Sequence, residues 1–333
     1  MTFRVLCYRE IAVPLSAKLN SACEILAFNN YDEQSISALV SDCDVLVSWL
    51  ATKKIIENGK NLKFIQCWGA GVNEIDLSFA YQRGIKVSNL AGFNSAAVAD
   101  YTLSAMLLLT TRLHAFDREL RQDSRKLPIR VINRLLGNNS YGFPKDSSFE
   151  NKELAGKVIS IIGYGAIGQQ IALRANAFGM RIMAIKRTPL TNNDLNVEFV
   201  GTLGELRKVL KNSDFVSVNL PLAKETRGVF GAGEFAVMKP TAYFINSSRS
   251  EVVDNKALLS ALKNGSFAGA VLDVVDESLK KSFARLNNVI LTPHISGESK
   301  ESMARGIEVT AENISRLING RTLLNRVSLE KMY

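Results

Sequence analysis

The stretch Lys157-Val-Ile-Ser-Ile-Ile-Gly163-Tyr-Gly165-Ala166-Ile167-Gly168 decides how the rest of the chain reads. Val158–Ile162 is a short, mostly apolar run suited to a strand buried on both faces. It enters G-x-G-x-x-G, and a helical pattern follows at once over Gln169–Phe178. Each glycine has its own task. Gly163 permits a tight turn, Gly165 lets the backbone approach a pyrophosphate, and Gly168 lets helix and strand pack closely. The helix start, with the N–H groups of Ala166 and Ile167, then offers unpaired donors and a positive dipole end to an anion. The motif alone is weak, and a glycine-rich structural turn is the competing reading. The strand before it, the helix after it and the next strand, Arg181–Ile185, favour a βαβ unit that binds a dinucleotide.

The end of that next strand speaks to which dinucleotide. In the NAD-binding form of the unit, a carboxylate about 20 residues past the glycines holds the ribose 2′-hydroxyl. Here the strand ends Ile185-Lys186-Arg187-Thr188-Pro189. Two cations and a hydroxyl stand where a carboxylate would repel a 2′-phosphate, and Arg can grip a phosphate through two hydrogen bonds. This favours NADP(H) over NAD(H). An exposed basic loop that touches nothing is the alternative.

Reading outward, strand-like runs at Phe215–Val218, Tyr243–Asn246, Ala268–Leu272 and Val289–Leu291 continue the series, and a helical pattern over Lys300–Asn319 ends at Gly320. Upstream, Phe3–Tyr8, Ile25–Phe28, Val45–Trp49, Phe64–Cys67 and Ile85–Val87 alternate with helical segments such as Gln34–Ser41 and Ile75–Arg83. Strands spaced by helices imply parallel sheets. Between the two series lie a long apolar helical pattern, Ser95 to about Leu120, and a break over residues 127–151 rich in Gly, Pro, Asn and Ser.

A length of 333 residues suits about two domains. Apolar residues at 47% and charged residues at 22% exclude disordered, collagenous and coiled-coil classes. No apolar run approaches the ~20 residues of a membrane span, and the short run Val5–Tyr8 is no signal peptide. Four cysteines, Cys7, Cys23, Cys43 and Cys67, form no C-x-x-C, so free thiols and a cytoplasmic location are expected. With only two histidines, His114 and His294, no metal site is expected. The net charge is +9, and the richest basic stretch, Arg112–Arg134, has Asp117, Glu119 and Asp123 interleaved with its cations and no aromatic residues among its later charges. That pattern suits a solvated surface better than nucleic acid, and neither nucleic acid nor membrane is expected as a partner.

Three further segments carry chemistry: Tyr243-Phe-Ile-Asn246-Ser247-Ser-Arg249-Ser250, Gly269-Ala-Val-Leu-Asp273-Val-Val, and Thr292-Pro293-His294-Ile-Ser-Gly297. With the glycine fingerprint, Asn219-Leu-Pro221-Leu, Thr226-Arg-Gly228, Gly69-Ala70-Gly71-Val72-Asn73 and Asn89–Arg112, they make a chain that resembles the D-isomer-specific 2-hydroxyacid dehydrogenases over nearly its whole length. The resemblance implies two doubly wound parallel-sheet α/β domains. A Rossmann nucleotide domain (100–296) would be inserted into a flavodoxin-like substrate domain (1–99 plus 297–333), in a homodimer. It places Asn219, Pro221, Thr226, Ser247, Asp273 and Gly297 along the cofactor, with Asp273 on the nicotinamide carboxamide. An Asp that merely ends a strand is the competing reading there. It places the substrate carboxylate on the backbone N–H groups of Ala70 and Gly71, with a plain glycine turn as the alternative.

Reducing a 2-oxo acid requires a cation to polarise the carbonyl and an acid to protonate the alkoxide. Arg249, always charged, suits the first task and His294 the second. His114 reads as structural. The sequence departs from the family at two positions. The Glu that normally supports the His is replaced by Ser278, with Glu277 one residue earlier, and Ser250 stands where a Gly is usual. Three readings stay open: Glu277 supports His294, Ser278 does so, or the site is weakened. Relatives act on glyoxylate or hydroxypyruvate, phosphoglycerate, formate or phosphite, and one branch is a non-catalytic dinucleotide-sensing scaffold.

Overall fold

The computed structural model describes residues 2–19, 23–114, 117, 121, 152–188 and 197–328, so the 127–151 break and most of the basic stretch lie outside the described residues. Two compact units emerge, one comprising 1–97, 220–229 and 297–333, the other 98–219 and 230–296.

The first unit is built on strands β1 (Phe3–Tyr8), β2 (Cys23–Phe28), β3 (Val45–Val47), β4 (Phe64–Gln66) and β5 (Lys86–Ser88), all parallel, in the order β2-β1-β3-β4-β5. This is the flavodoxin-type order. Because side chains alternate across a strand, β1 sends Leu6 to one face and Val5 and Cys7 to the other. Leu6, Leu46, Ile65 and Val87 pack with Ile36, Ile55 and Ala80 on the first face. Val5, Val45, Val47 and Phe64 pack with Ile11 and Leu15 of the helix Arg9–Leu19 and with Ile307, Ala311 and Ile314 of the helix Lys300–Ile318 on the second.

The second unit holds β6 (Val158–Ile162), β7 (Arg181–Ile185), β8 (Val197–Gly201), β9 (Phe215–Val218), β10 (Tyr243–Asn246), β11 (Gly269–Leu272) and β12 (Val289–Leu291). They form one sheet in the order β12-β11-β10-β9-β6-β7-β8, and every pairing is parallel. The order reverses beside β6, which opens a crevice at the carboxyl ends of β6 and β9 where ligands of such sheets bind. Helices cover the faces. Ala99, Leu103 and Met106 from the helix Ser95–Thr111 join Ile171, Ala172 and Ala175 from the helix Ala166–Ala177 over Ile159, Ile161 and Ile182.

Both sheets are the parallel α/β layers expected from the strand spacing. Two elements differ from expectation. The edge strand β8 has no counterpart among the strand-like runs, since a half-exposed Val-Glu-Phe-Val-Gly carries a weak apolar signal. The helix beginning at Ser95 is broken at Arg112, which turns into the left-handed region at φ 53°; Leu113 and His114 are helical again, and residues 115–116 and 118–120 of the expected run to Leu120 lie outside the described residues.

Candidate active site

Gly163 sits at φ 109°, a conformation that favours glycine, and its N–H and that of Tyr164 both donate to the carbonyl of Ile185 on β7. The chain is thereby folded back at the end of β6. A methyl group at Gly168 would stand 2.6 Å from the Gly163 carbonyl oxygen and 2.9 Å from Ile161 Cγ2, so only glycine allows this helix to approach this strand. At Gly165, the N-cap of the helix Ala166–Ala177, a methyl group would meet nothing within 4 Å. The cradle is closed beneath and open in front, which is the shape a pyrophosphate needs. Two buried polar atoms at neighbouring strand ends, Asn219 Oδ1 and Ser247 Oγ, have no partner among the described residues. Unpaired buried groups are costly, and a ligand with its own donors would satisfy them. These residues therefore fit a dinucleotide.

At the end of β7, the N–H of Lys186 donates to Gly201 and fixes the turn. Lys186 is half-buried, Arg187 and Thr188 are exposed, and neither cation enters an ion pair among the described residues.

Arg249 leaves the sheet after β10, Asp273 directly follows β11, and His294 follows β12. Arg249 and His294 thus flank Asp273, one strand to each side. Asn246 holds the first of these loops: its amide nitrogen donates to the Arg249 carbonyl, while its oxygen accepts from the N–H and hydroxyl of Ser248. The Arg249 guanidinium donates to the Ser248 carbonyl at 2.8 Å and meets no carboxylate among the described residues, so its charge stays available.

Asp273, only 2% exposed, holds the second. Its Oδ1 accepts from Thr292 Oγ1 at 2.5 Å and from the Ile295 N–H at 2.9 Å, and its Oδ2 accepts from the Ser296 N–H at 2.9 Å. Its carbonyl accepts from the His294 N–H at 3.0 Å. Burial by itself pushes this carboxyl up, but the hydrogen bonds from Ser296, Thr292 and Ile295 outweigh it, and the group lies below the ordinary aspartate range. An ionised Asp273 makes Thr292 the donor, so Tyr101, whose hydroxyl lies 2.6 Å from Thr292 Oγ1, donates in turn. Burial pushes the Tyr101 phenol up to about 12, which keeps its proton in place at neutral pH. The anchored loop holds His294 exposed at φ 59°.

The Glu277 carboxylate accepts from Lys280 Nζ at 3.0 Å, and Ser278 Oγ donates to Asp276 Oδ1 at 2.6 Å. Among the described residues, neither makes a hydrogen bond or ion pair with His294. The Ser250 hydroxyl donates to Glu251.

In the first unit, the loop Gly69–Asn73 follows β4. Its carbonyls are tied inward: Gly69 accepts from the Leu90 N–H, Ala70 from the Asn89 side chain at 2.7 Å, and Gly71 from the Cys67 thiol at 3.2 Å. With the carbonyls turned inward, the N–H groups of Ala70 and Gly71 have no acceptor among the described residues. Successive free N–H groups of this kind form an anion-binding concavity. Pro221, Thr226 and Gly297 also belong to this unit. Thr226 Oγ1 donates to the Pro221 carbonyl and accepts from the Ala223 N–H, closing its own loop. Gly297 is packed so closely that a methyl group would stand 2.4 Å from Asn94 Nδ2.

Sequence reasoning missed four supporting residues: Asn89, Asn246, Thr292 and Tyr101. Asn89, Thr292 and Tyr101 find their partners 19 or more positions away, whereas Asn246 bonds residues two and three positions on within its own loop.

Among the described residues, no helix is long and apolar enough to cross a membrane, and no cluster of His, Cys, Asp and Glu could hold a metal ion. Residues 103–296 match the family described as D-isomer specific 2-hydroxyacid dehydrogenase, NAD binding domain. A glyoxylate reductase of Thermococcus litoralis is 34% identical over 89% of this chain and 84% of its own. A hydroxypyruvate reductase of Thermotoga maritima is 32% identical over 86% of this chain and 89% of its own. The crystal structure of the TT0316 protein from Thermus thermophilus superposes with a TM-score of 0.80 at 28% identity, covering 98% of this chain and 100% of that one. Fingerprint, strand order and relatives converge, and the chain belongs to the D-isomer specific 2-hydroxyacid dehydrogenase family as an NAD(P)-dependent enzyme.

Proposed function

We propose that the chain is an NADP(H)-preferring reductase of a 2-oxo acid, working on the D-2-hydroxy acid in reverse, as a cytoplasmic homodimer. The observation that carries the chemistry is the Asp273 anchor, which holds the His294 loop one strand from Asp273 while Arg249, its charge unspent, stands on the other side. The relatives named glyoxylate and hydroxypyruvate reductase support reduction as the working direction.

When bound, the dinucleotide supplies the hydride that adds to C2 of the oxo acid. Gly163, Gly165, Ala166, Ile167 and Gly168 cradle its pyrophosphate, Lys186, Arg187 and Thr188 take the 2′-phosphate, and Asn219 and Ser247 offer it their unpaired atoms. Ala70 and Gly71 hold the substrate carboxylate through backbone N–H groups. Arg249 draws the carbonyl π electrons toward oxygen and stabilises the charge that develops there, the kind of preorganised electrostatic help that weighs most in catalysis. His294 gives its ring proton to that oxygen, a contribution of about 10²–10⁴ in rate. The Glu277 carboxylate engages Lys280, so this reading gives support of the His294 loop to Asp273.

The test is a panel of 2-oxo acids assayed at 340 nm with NADPH and NADH, using the parent, Lys186→Asp and His294→Ala. The parent turns over at least one acid faster with NADPH. Lys186→Asp lowers the NADPH-to-NADH ratio of kcat/KM by about tenfold or more. His294→Ala loses turnover and still binds NADPH. An unchanged ratio refutes the phosphate role of Lys186, and an active His294→Ala places the acid elsewhere. NADPH binding with no turnover of any acid favours the scaffold reading.

A further inference from the structure

Four aromatic rings form a continuous file at the carboxyl edge of the five-stranded sheet. Phe28, at the end of β2, is 1% exposed and meets Tyr31 edge-on at 5.1 Å. Tyr31 packs against Tyr8, at the end of β1, at 4.7 Å, and against Trp49, beyond β3, at 5.2 Å. Trp49 ends the file 38% exposed, the one Trp among the exposed large apolar residues of the described chain. A file that starts in the core and emerges at a ligand edge is a wall rather than packing alone.

The wall stands beside the anion concavity. The Ser48 N–H donates to Gln66 and the Trp68 N–H to Ser48, while the Ala51 N–H donates to Glu74. The segment carrying Trp49 is therefore bonded to the chain on both flanks of Gly69–Asn73. Tyr31 lies within electrostatic reach of Cys67, whose thiol holds the Gly71 carbonyl. Burial, with smaller contributions from Cys7, Tyr8, Cys67 and Glu10, pushes the Tyr31 phenol up, so Tyr31 keeps its proton at neutral pH.

Resting on the reading of Ala70 and Gly71 as the carboxylate site, we propose that the Tyr8–Tyr31–Trp49 wall recognises the side chain of an aryl-substituted 2-oxo acid of the phenylpyruvate class. Glyoxylate has no side chain to place there. A hydroxymethyl or phosphate group could reach the Tyr hydroxyls or Arg9, whose guanidinium lies 6.0 Å from the Tyr8 ring centroid, but it would leave the Trp49 and Tyr31 ring faces uncovered. An aryl ring gains offset or edge-on contacts with Trp49 and Tyr31.

The experiment compares kcat/KM for phenylpyruvate, glyoxylate and hydroxypyruvate with NADPH in the parent, Trp49→Ala and Trp49→Phe. Phenylpyruvate binding to each protein is also titrated calorimetrically with the dinucleotide present. The parent prefers phenylpyruvate to glyoxylate. Trp49→Ala lowers that preference by about tenfold or more, and Trp49→Phe restores most of it. A parent that prefers glyoxylate, or a preference that Trp49→Ala leaves unchanged, overturns the proposal. The titration separates the two readings. Saturable phenylpyruvate binding that Trp49→Ala weakens at least tenfold supports the wall even where no acid turns over, an outcome that would sink the reductase reading alone. Absence of saturable phenylpyruvate binding in the parent overturns the wall.

Discussion

At the scale of single residues, Asp273 is the most informative side chain of the second unit. Its folded titration lies below its unfolded one, so it adds stability that is present above the unfolded value and lost as pH falls through the folded value. Asp273→Asn removes that charge and turns an NH2 toward a buried N–H donor. At pH 7 the variant should lose about 1–3 kcal/mol, the cost of a buried unsatisfied group. The deficit should shrink below about pH 4, as the parent aspartate itself becomes protonated. Urea unfolding at both pH values measures this, and equal stability at pH 7 would remove the anchor. The sequence shows Asp273 as an acid ending an apolar run. It cannot show that Thr292, Ile295 and Ser296 converge on it, because those bonds span 19 to 23 positions and exist only once β11 and β12 pair.

At the scale of elements, the turn from β6 into the helix Ala166–Ala177 depends on contact distance. Gly168→Ala places a methyl 2.6 Å from a backbone oxygen, and the backbone must shift to relieve it. Overpacking of this kind costs about 1–3 kcal/mol. NADPH affinity, followed by fluorescence titration, should fall together with stability, and unchanged affinity would mean that the cradle tolerates a wider helix approach. This turn is legible because glycine spacing, strand and helix all announce themselves locally. Most strands of the second unit are legible for the same reason: continuous apolar runs end at polar or glycine-bearing turns. The helix break at Arg112 is not, because no Gly or Pro marks it and the left-handed turn falls on an arginine. The edge strand β8 is not, because only one neighbour pairs with it and its three middle residues stay exposed or half-buried.

At the scale of the whole molecule, a ligand that binds only the folded state stabilises it by mass action. NADPH at a hundred times its Kd adds about 2.7 kcal/mol. For a domain the size of the second unit, that should raise Tm by roughly 5–10 °C. NADH at the same concentration should raise it less, and equal shifts in a thermal melt would argue against an NADP(H) preference. The alternation of strands and helices carries both parallel sheets, whereas the aromatic file of the first unit cannot be read from it, since Tyr8, Phe28, Tyr31 and Trp49 meet only through the strand order.

The second face of the five-stranded sheet is completed by the helix Lys300–Ile318, although its last strand ends at Ser88. On a ribosome adding 5–20 residues per second, that leaves Val5, Val45, Val47 and Phe64 only partly covered for about 10–40 s while the intervening chain is made. The nascent protein thus carries a sticky surface through most of its own synthesis. A trigger-type holdase that shields apolar strands should raise the yield of folded enzyme more than one that acts on the finished chain.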